Sequence, residues 1–67
     1  MKLIYSNLKA EMIKKQISIE ALAQKLQISK ISLEKKLNGH KDFLLNEIEM
    51  ILRIFDDCAF DYLFQFK

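Results

Sequence analysis

The feature that most constrains the fold is a pair of short amphipathic segments, each of which follows a serine. Ser18 precedes a segment that runs to Leu26, and Ser29 precedes a segment that runs from Lys30 to Leu37. A serine hydroxyl at such a position can accept a hydrogen bond from an unpaired amide of the first helical turn. The spacing therefore predicts two helices of about eight residues joined by about three residues.

The connection between these two segments contains an apolar residue. Residues 27–29 interrupt the helical pattern, and Ile28 lies among them. In the preceding helix, Leu22 and Leu26 fall on one face, while Ala23 is small enough for another helix to approach closely. An apolar turn residue that plugs the core between two crossing helices is typical of a helix-turn-helix unit.

The second helix of this unit has an apolar face and a polar face. Leu33 and Leu37 form the apolar one, and Gly39 can adopt the left-handed conformation that closes a helix. We expect the other face to be exposed. It carries Lys30, Ile31, Ser32 and Lys35.

Three further helices complete the prediction. The chain has no proline and a single glycine, which favours an all-α domain with short connections. Leu8 and Met12 should face the core from the first helix, with Ile13 as a further inward candidate, while Lys9, Lys14 and Lys15 face outward. The predicted helices cover residues 7–15, 46–55 and 59–64.

Charge is distributed unevenly along the chain, although the net charge is only +2. Residues 24–41 carry five lysines and one glutamate, whereas residues 42–67 carry two basic and six acidic residues. We expect the middle part to face an anion and the C-terminal part to face away from it.

Several protein classes are disfavoured by the composition. A chain of 67 residues holds one domain, with its core at residues 8–64. One cysteine builds neither a disulfide framework nor a thiolate zinc cluster. No apolar run approaches the roughly 20 residues of a membrane helix, and the first seven residues lack a signal-peptide core. A cytoplasmic location follows as an expectation.

Four stretches of sequence together carry a family resemblance. They are SIEALA at residues 18–23, QKLQIS at 24–29, LEKKLNG at 33–39 and DYLF at 61–64. With these motifs the chain resembles the Cro/CI-type (XRE) helix-turn-helix domains, and in particular compact phage repressor-like proteins of low-GC bacteria. The resemblance extends from Leu8 to Phe64 and implies a lambda-repressor-like DNA-binding domain of five short helices, with helices 2 and 3 forming the helix-turn-helix.

The resemblance also implies which residues contact DNA. Family members place the third helix in the major groove, with the start of the second helix against the phosphate backbone. Lysine and serine can hydrogen-bond base edges, and isoleucine can pack on a thymine methyl group. The base-reading residues implied are Lys30, Ile31, Ser32 and Lys35. The phosphate-binding residues implied are Ser18, Ser29, Asn38, His40 and Lys41.

The chain departs from the family pattern at three places. Ile19 stands where the family often has a phosphate-clamping glutamine, so that clamp is expected to be absent. Met12 and Leu37 replace an Arg–Glu ion pair, and we predict that the two apolar side chains touch. Gln16 and Ile17 replace a glycine-containing turn, so the chain must turn there without glycine's freedom.

The aromatic residues near the C-terminus have two readings. In the first, Phe60 and Leu63 fill the core and the other rings pack at its edge. In the second, Tyr62, Phe64 and Phe66 form a two-fold dimer interface, because exposed apolar clusters usually mark a partner surface. A homodimer would place two reading helices about one DNA turn apart.

Other polar residues favour structural roles. His40 has no second ligand at metal-binding spacing, Cys58 is expected in the core, and Asp56, Asp57 and Asp61 are expected at caps and on the surface. The lysines Lys30, Lys35, Lys36 and Lys41 could also form an ordinary solvated face. No enzymatic activity, cofactor, metal or small-molecule ligand is expected.

The sequence thus predicts a transcriptional regulator, either a phage-type repressor or a Cro-like protein, with a double-stranded DNA operator as its partner. It would act near the nucleoid of a bacterial cell or phage-infected host. The alternative is a protein-interaction module that uses the same fold to bind an antirepressor or another protein. Salt dependence separates the two, because lysine–phosphate contacts weaken steeply as salt rises.

Overall fold

The computed structural model describes residues 5–65, and these form five helices without a strand. The prediction of an all-α helix-turn-helix fold is confirmed, and the third helix has the predicted bounds. For the other helices, each predicted start and end lies within one residue of the observed one. The helices are α1 (Ser6–Lys14), α2 (Ile19–Leu26), α3 (Lys30–Leu37), α4 (Leu45–Ile54) and α5 (Phe60–Leu63).

Side chains cap the starts of three helices. The Ser18 hydroxyl accepts a hydrogen bond from the amide of Ala21 at 3.0 Å, and the Ser29 hydroxyl accepts one from the amide of Ser32 at 3.1 Å. Both predicted caps of the helix-turn-helix are therefore confirmed. At α4 the Glu47 carboxylate instead reaches back and accepts from the Leu44 amide at 2.8 Å.

The first three helices end in the same way, with a residue in the left-handed conformation. Gln16, Gln27 and Gly39 have φ values of 57°, 59° and 80°. In each case the next residue donates its amide to a carbonyl five positions earlier, as Ile28 does to Ala23 at 3.0 Å. The turn after α1 is thus made without glycine, as expected, and the turn inside the helix-turn-helix is as well.

The core is built from all five helices. Ala23, Met12 and Leu37 are buried apolar residues of the same cluster, and α2 contacts both α3 and α4. Ile28 packs against this core from the turn, as predicted. The fully buried side chains are Leu8, Leu22, Leu33, Leu37, Ile51, Phe55 and Leu63.

Two candidate core positions, Ile13 and Phe60, are wrong. Ile13 is 79% exposed, because the inward side of α1 is centred on Leu8 and Met12 and Ile13 lies about a third of a turn away. Phe60 is 52% exposed, because it opens α5 and rests against Phe64 at its rim, while Leu63 alone of that helix is buried.

A polar stripe on α1 ties the C-terminal segment to the rest of the fold. Asn7 donates to the Tyr62 carbonyl at 2.9 Å, Glu11 accepts from the Tyr62 hydroxyl at 3.0 Å, and Lys15 pairs with Asp57 at 3.0 Å. The three α1 residues are four positions apart and so share one face of the helix. Lys15, which was predicted to face outward, is therefore partly covered by this pairing.

Cys58 lies beside this stripe and packs against the core, as predicted. Burial raises the pKa of the Cys58 thiol above its usual value, and the carboxylates of Glu11 and Asp57 raise it further. A raised pKa disfavours the nucleophilic thiolate, so this cysteine is expected to be unreactive.

Candidate nucleic-acid interface

The outer face of α3 carries three of the four predicted base-reading residues in exposed positions. Lys30, Ile31 and Lys35 are all exposed, and Ile31 presents 67% of its surface. An isoleucine so exposed on a short helix leaves apolar surface in water, which has no benefit to the isolated fold. This face therefore has a mixed character, apolar at its centre and basic at both sides.

Ser32, the fourth predicted base-reading residue, is only half-exposed. Its hydroxyl accepts a hydrogen bond from the Ser29 hydroxyl at 3.0 Å, and its backbone amide donates to the Ser29 hydroxyl oxygen at 3.1 Å. Ser29 therefore serves as the α3 cap, and both hydroxyls are held at the first turn of the helix. Ser32 therefore lies on the predicted face, but its hydroxyl is already hydrogen-bonded to Ser29.

Lys36 does not belong to the solvated face. It is 7% exposed, and its ammonium group donates to both carboxylate oxygens of Glu47 at 2.6 and 2.5 Å. The alternative that placed Lys36 on an ordinary solvated face is wrong for this residue, because Glu47 of α4 binds its ammonium group in a buried position. Of the consecutive lysines, Lys35 points outward and Lys36 holds α3 to α4.

The predicted phosphate-binding residues lie at the two ends of the helix-turn-helix, except Ser29, which lies in the turn between α2 and α3. Ser18 is exposed at the start of α2, and His40 and Lys41 are exposed in the loop that follows α3. Asn38 is half-buried, and its side-chain oxygen accepts a hydrogen bond from Lys9 at 2.8 Å. The structure therefore adds Lys9, which sequence spacing alone did not connect to the end of α3.

An ion pair joins the first turns of α2 and α3. The Lys30 ammonium lies 3.8 Å from a carboxylate oxygen of Glu20, and both side chains are more than half exposed. Sequence reasoning missed Glu20, since it precedes Lys30 by ten positions and lies on another helix. Its carboxylate faces the same side of the molecule as a predicted base-reading residue.

The unpaired basic charge of residues 24–41 is smaller than the sequence suggests. Of the five lysines in residues 24–41, Lys36 is neutralised by Glu47 and Lys30 is paired with Glu20. Within the part of the chain that the structure describes, the other three form no ion pair. These are Lys25, Lys35 and Lys41, all exposed.

The predicted dimer residues divide between two surroundings. Tyr62 is 41% exposed, and its hydroxyl binds Glu11. That bond and burial both raise the pKa of the Tyr62 hydroxyl. Phe64 is half-buried among Tyr5 and Phe43, in edge-to-face contacts with ring centroids 5.9 and 5.4 Å apart. Phe66 lies outside the described residues.

No cluster of His, Cys, Asp and Glu that could hold a metal ion occurs within residues 5–65. None of the helices described in this range is long and apolar enough to cross a membrane. A shallow apolar groove of about 340 Å³ runs beside the start of α2, lined by Met12, Ile13, Ile17, Ile19 and Leu37. Met12 and Leu37, which were predicted to touch, thus both line this groove.

Comparison with known proteins gives one match. A protein-family model described as the Cro/C1-type HTH DNA-binding domain matches residues 7–65. No curated protein and no solved structure matches the chain. The matched range contains the helix-turn-helix and every candidate site residue except Phe66.

Proposed function

Because the chain belongs to the Cro/C1-type helix-turn-helix DNA-binding family, we propose that it is a sequence-specific transcriptional repressor, of phage-repressor or Cro-like type. It docks α3 in the major groove of a DNA operator and acts by occupying promoter DNA in the bacterial cytoplasm. Lys30, Ile31, Ser32 and Lys35 read base edges in this proposal.

One observation carries the proposal: the pattern of exposure on α3. Its two leucines are buried, while Ile31 is exposed between the exposed Lys30 and Lys35. Major-groove recognition uses this combination, because lysine donates to guanine O6 and N7 and an aliphatic side chain packs on a thymine methyl group. Phosphate contacts from Ser18 at one end and Lys41 at the other would set the orientation of the helix.

We propose a homodimer on a roughly palindromic operator. Tyr62 and Phe64 supply the interface from α5 and the residue after it, together with Phe66. Support comes from the exposed parts of Tyr62 and of Phe60, which leave aromatic surface uncovered at one end of the fold. Dimerisation would double the DNA sequence that is read, because each subunit contributes one α3.

A second function uses the same α3 face to bind a protein, such as an antirepressor. The exposure of Ile31 favours it, because a face that has an apolar centre, and on which Lys30 is already paired with Glu20, also suits a protein partner. The two functions differ in their response to salt. Binding through lysine–phosphate contacts weakens by orders of magnitude between about 50 and 200 mM salt, whereas an apolar interface hardly responds.

The test is a band shift with duplex DNA from upstream of the protein's own gene and a random duplex of equal length. We expect preferential binding to the upstream DNA, and loss of that preference in Lys35→Ala, by about tenfold or more. Lys14→Ala is the matched control, because Lys14 is exposed on α1 and lies outside the proposed interface. Equal binding of wild type to both duplexes at moderate salt would contradict the proposal.

A further inference from the structure

An acidic residue lies where a DNA-binding surface should be basic. Glu20 occupies the first turn of α2, two positions after the capping Ser18, and its carboxylate is 3.8 Å from the Lys30 ammonium. The family geometry brings this turn close to the phosphate backbone. A carboxylate at this position is repelled by the DNA phosphates and by itself weakens DNA binding.

Lys30 is itself in an unfavourable place for the isolated helix. It is the first residue of α3, and the first turn of α3 contains no acidic residue. The positive end of the helix dipole disfavours a cation at this position. Glu20 offsets this disadvantage from the neighbouring helix, and it does so through an oxygen anion, the same chemistry that a DNA phosphate would offer.

From this geometry we propose that Glu20 competes with DNA phosphate for Lys30, and so restrains binding to DNA of arbitrary sequence. The inference rests on the proposed DNA-binding function and names a specificity-determining residue within it. In a non-specific complex, Lys30 could gain only a phosphate contact, and Glu20 already supplies its equivalent. At the operator, hydrogen bonds from Lys30 to a base replace the ion pair, so Glu20 opposes specific binding less.

The experiment compares Glu20→Gln with Glu49→Gln on two duplexes. Glu49 is exposed on α4, forms no ion pair within residues 5–65, and its substitution changes the net charge equally. The duplexes are one enriched from a random pool by the wild-type protein and one of random sequence. Affinities are measured by fluorescence anisotropy over a range of salt concentrations.

Removing the Glu20 charge should tighten binding to the random duplex by about tenfold and to the enriched duplex by about threefold, so that discrimination falls. The salt slope on the random duplex should steepen by about one, as Lys30 gains a phosphate contact. Glu49→Gln should change both affinities by a smaller and equal factor. In a Lys30→Gln background the effect of Glu20→Gln should largely disappear.

Two different failures can be told apart. If the wild-type protein bound no duplex, the proposed function would be overturned, and the role of Glu20 with it. If the wild type bound its enriched duplex but Glu20→Gln behaved like Glu49→Gln, only the role of Glu20 would be overturned. An undiminished effect of Glu20→Gln in the Lys30→Gln background would likewise refute competition for Lys30.

Discussion

The Lys36 ammonium donates to both oxygens of the Glu47 carboxylate, at 2.6 and 2.5 Å, and both residues are buried. Lys36 belongs to the proposed reading helix and Glu47 to the first turn of α4. Glu47 also accepts from the Leu44 amide and so helps to start α4. The pair therefore links the position of the reading helix to the helix that supports it.

Breaking this pair from one side should destabilise the fold strongly. Lys36→Met leaves an uncompensated buried carboxylate and is expected to lower the free energy of unfolding by about 3 kcal/mol. The double variant Lys36→Met/Glu47→Gln should be more stable than Lys36→Met alone, since no buried charge remains. Urea unfolding measures both, with Lys35→Met as the exposed control. Equal effects of Lys36→Met and Lys35→Met would contradict the buried ion pair.

Replacing the left-handed residue in the turn of the helix-turn-helix with glycine should stabilise the fold. Gln27 has a φ of 59°, where a side chain is disfavoured, so Gln27→Gly should raise stability by about 0.5–1 kcal/mol. The same substitution at Gln24, inside α2, should lower it by about 1 kcal/mol. Thermal unfolding followed by circular dichroism compares the two variants. A loss of stability in Gln27→Gly would show that this turn is not strained.

The serine cap of α2 should contribute measurably. Ser18→Ala removes the hydroxyl that accepts from the Ala21 amide and is expected to cost about 1 kcal/mol. Ser6→Ala is the matched control, because α1 has no side-chain cap. Chemical denaturation of both variants is the measurement. Equal stabilities would mean that water replaces the cap without loss.

The Lys15–Asp57 pair predicts an acid dependence of stability. The hydrogen bond from Lys15 holds the pKa of the Asp57 carboxyl below its ordinary value of 3.8. A lowered pKa in the folded state gives stability that is present above about pH 4 and is lost as pH falls through the folded-state pKa. At neutral pH, Asp57→Asn should therefore unfold at a lower temperature than wild type, and the difference should shrink in acid.

Asp56→Asn supplies the control for this prediction. Asp56 is the exposed neighbour of Asp57 and forms no ion pair with any of the residues 5–65. Its substitution should shift the melting temperature little, at neutral pH and in acid alike. A difference between Asp57→Asn and wild type that stayed constant from neutral pH to about pH 3 would rule out the proposed linkage.

Local signals made the helix-turn-helix predictable from the sequence. Ser18 and Ser29 act on amides only three residues away, so the starts of α2 and α3 could be read directly. Ile28 was also assigned correctly, because an apolar residue in a short turn between two amphipathic helices can be buried against their shared core. These features depend on neighbours in sequence and not on how the helices pack.

The features that sequence missed depend on contacts between distant segments. Lys36 follows another lysine and has the pattern of a solvated residue, and only the approach of Glu47 from α4 buries it. Glu20 and Lys30 meet because α2 and α3 cross, which neither residue's own helix reveals. Phe60 is a large apolar residue of the kind usually found in a core, but only Leu63 of the four-residue helix α5 is buried.

The most direct test of the central claim is the change in backbone amide NMR shifts on adding an operator duplex to the protein. We predict that the largest changes fall on α3, from Lys30 to Lys35, with further changes at Ser18 and in the loop at His40 and Lys41. Unchanged α3 amides in a protein that nevertheless bound the duplex would contradict the proposal that this helix reads DNA.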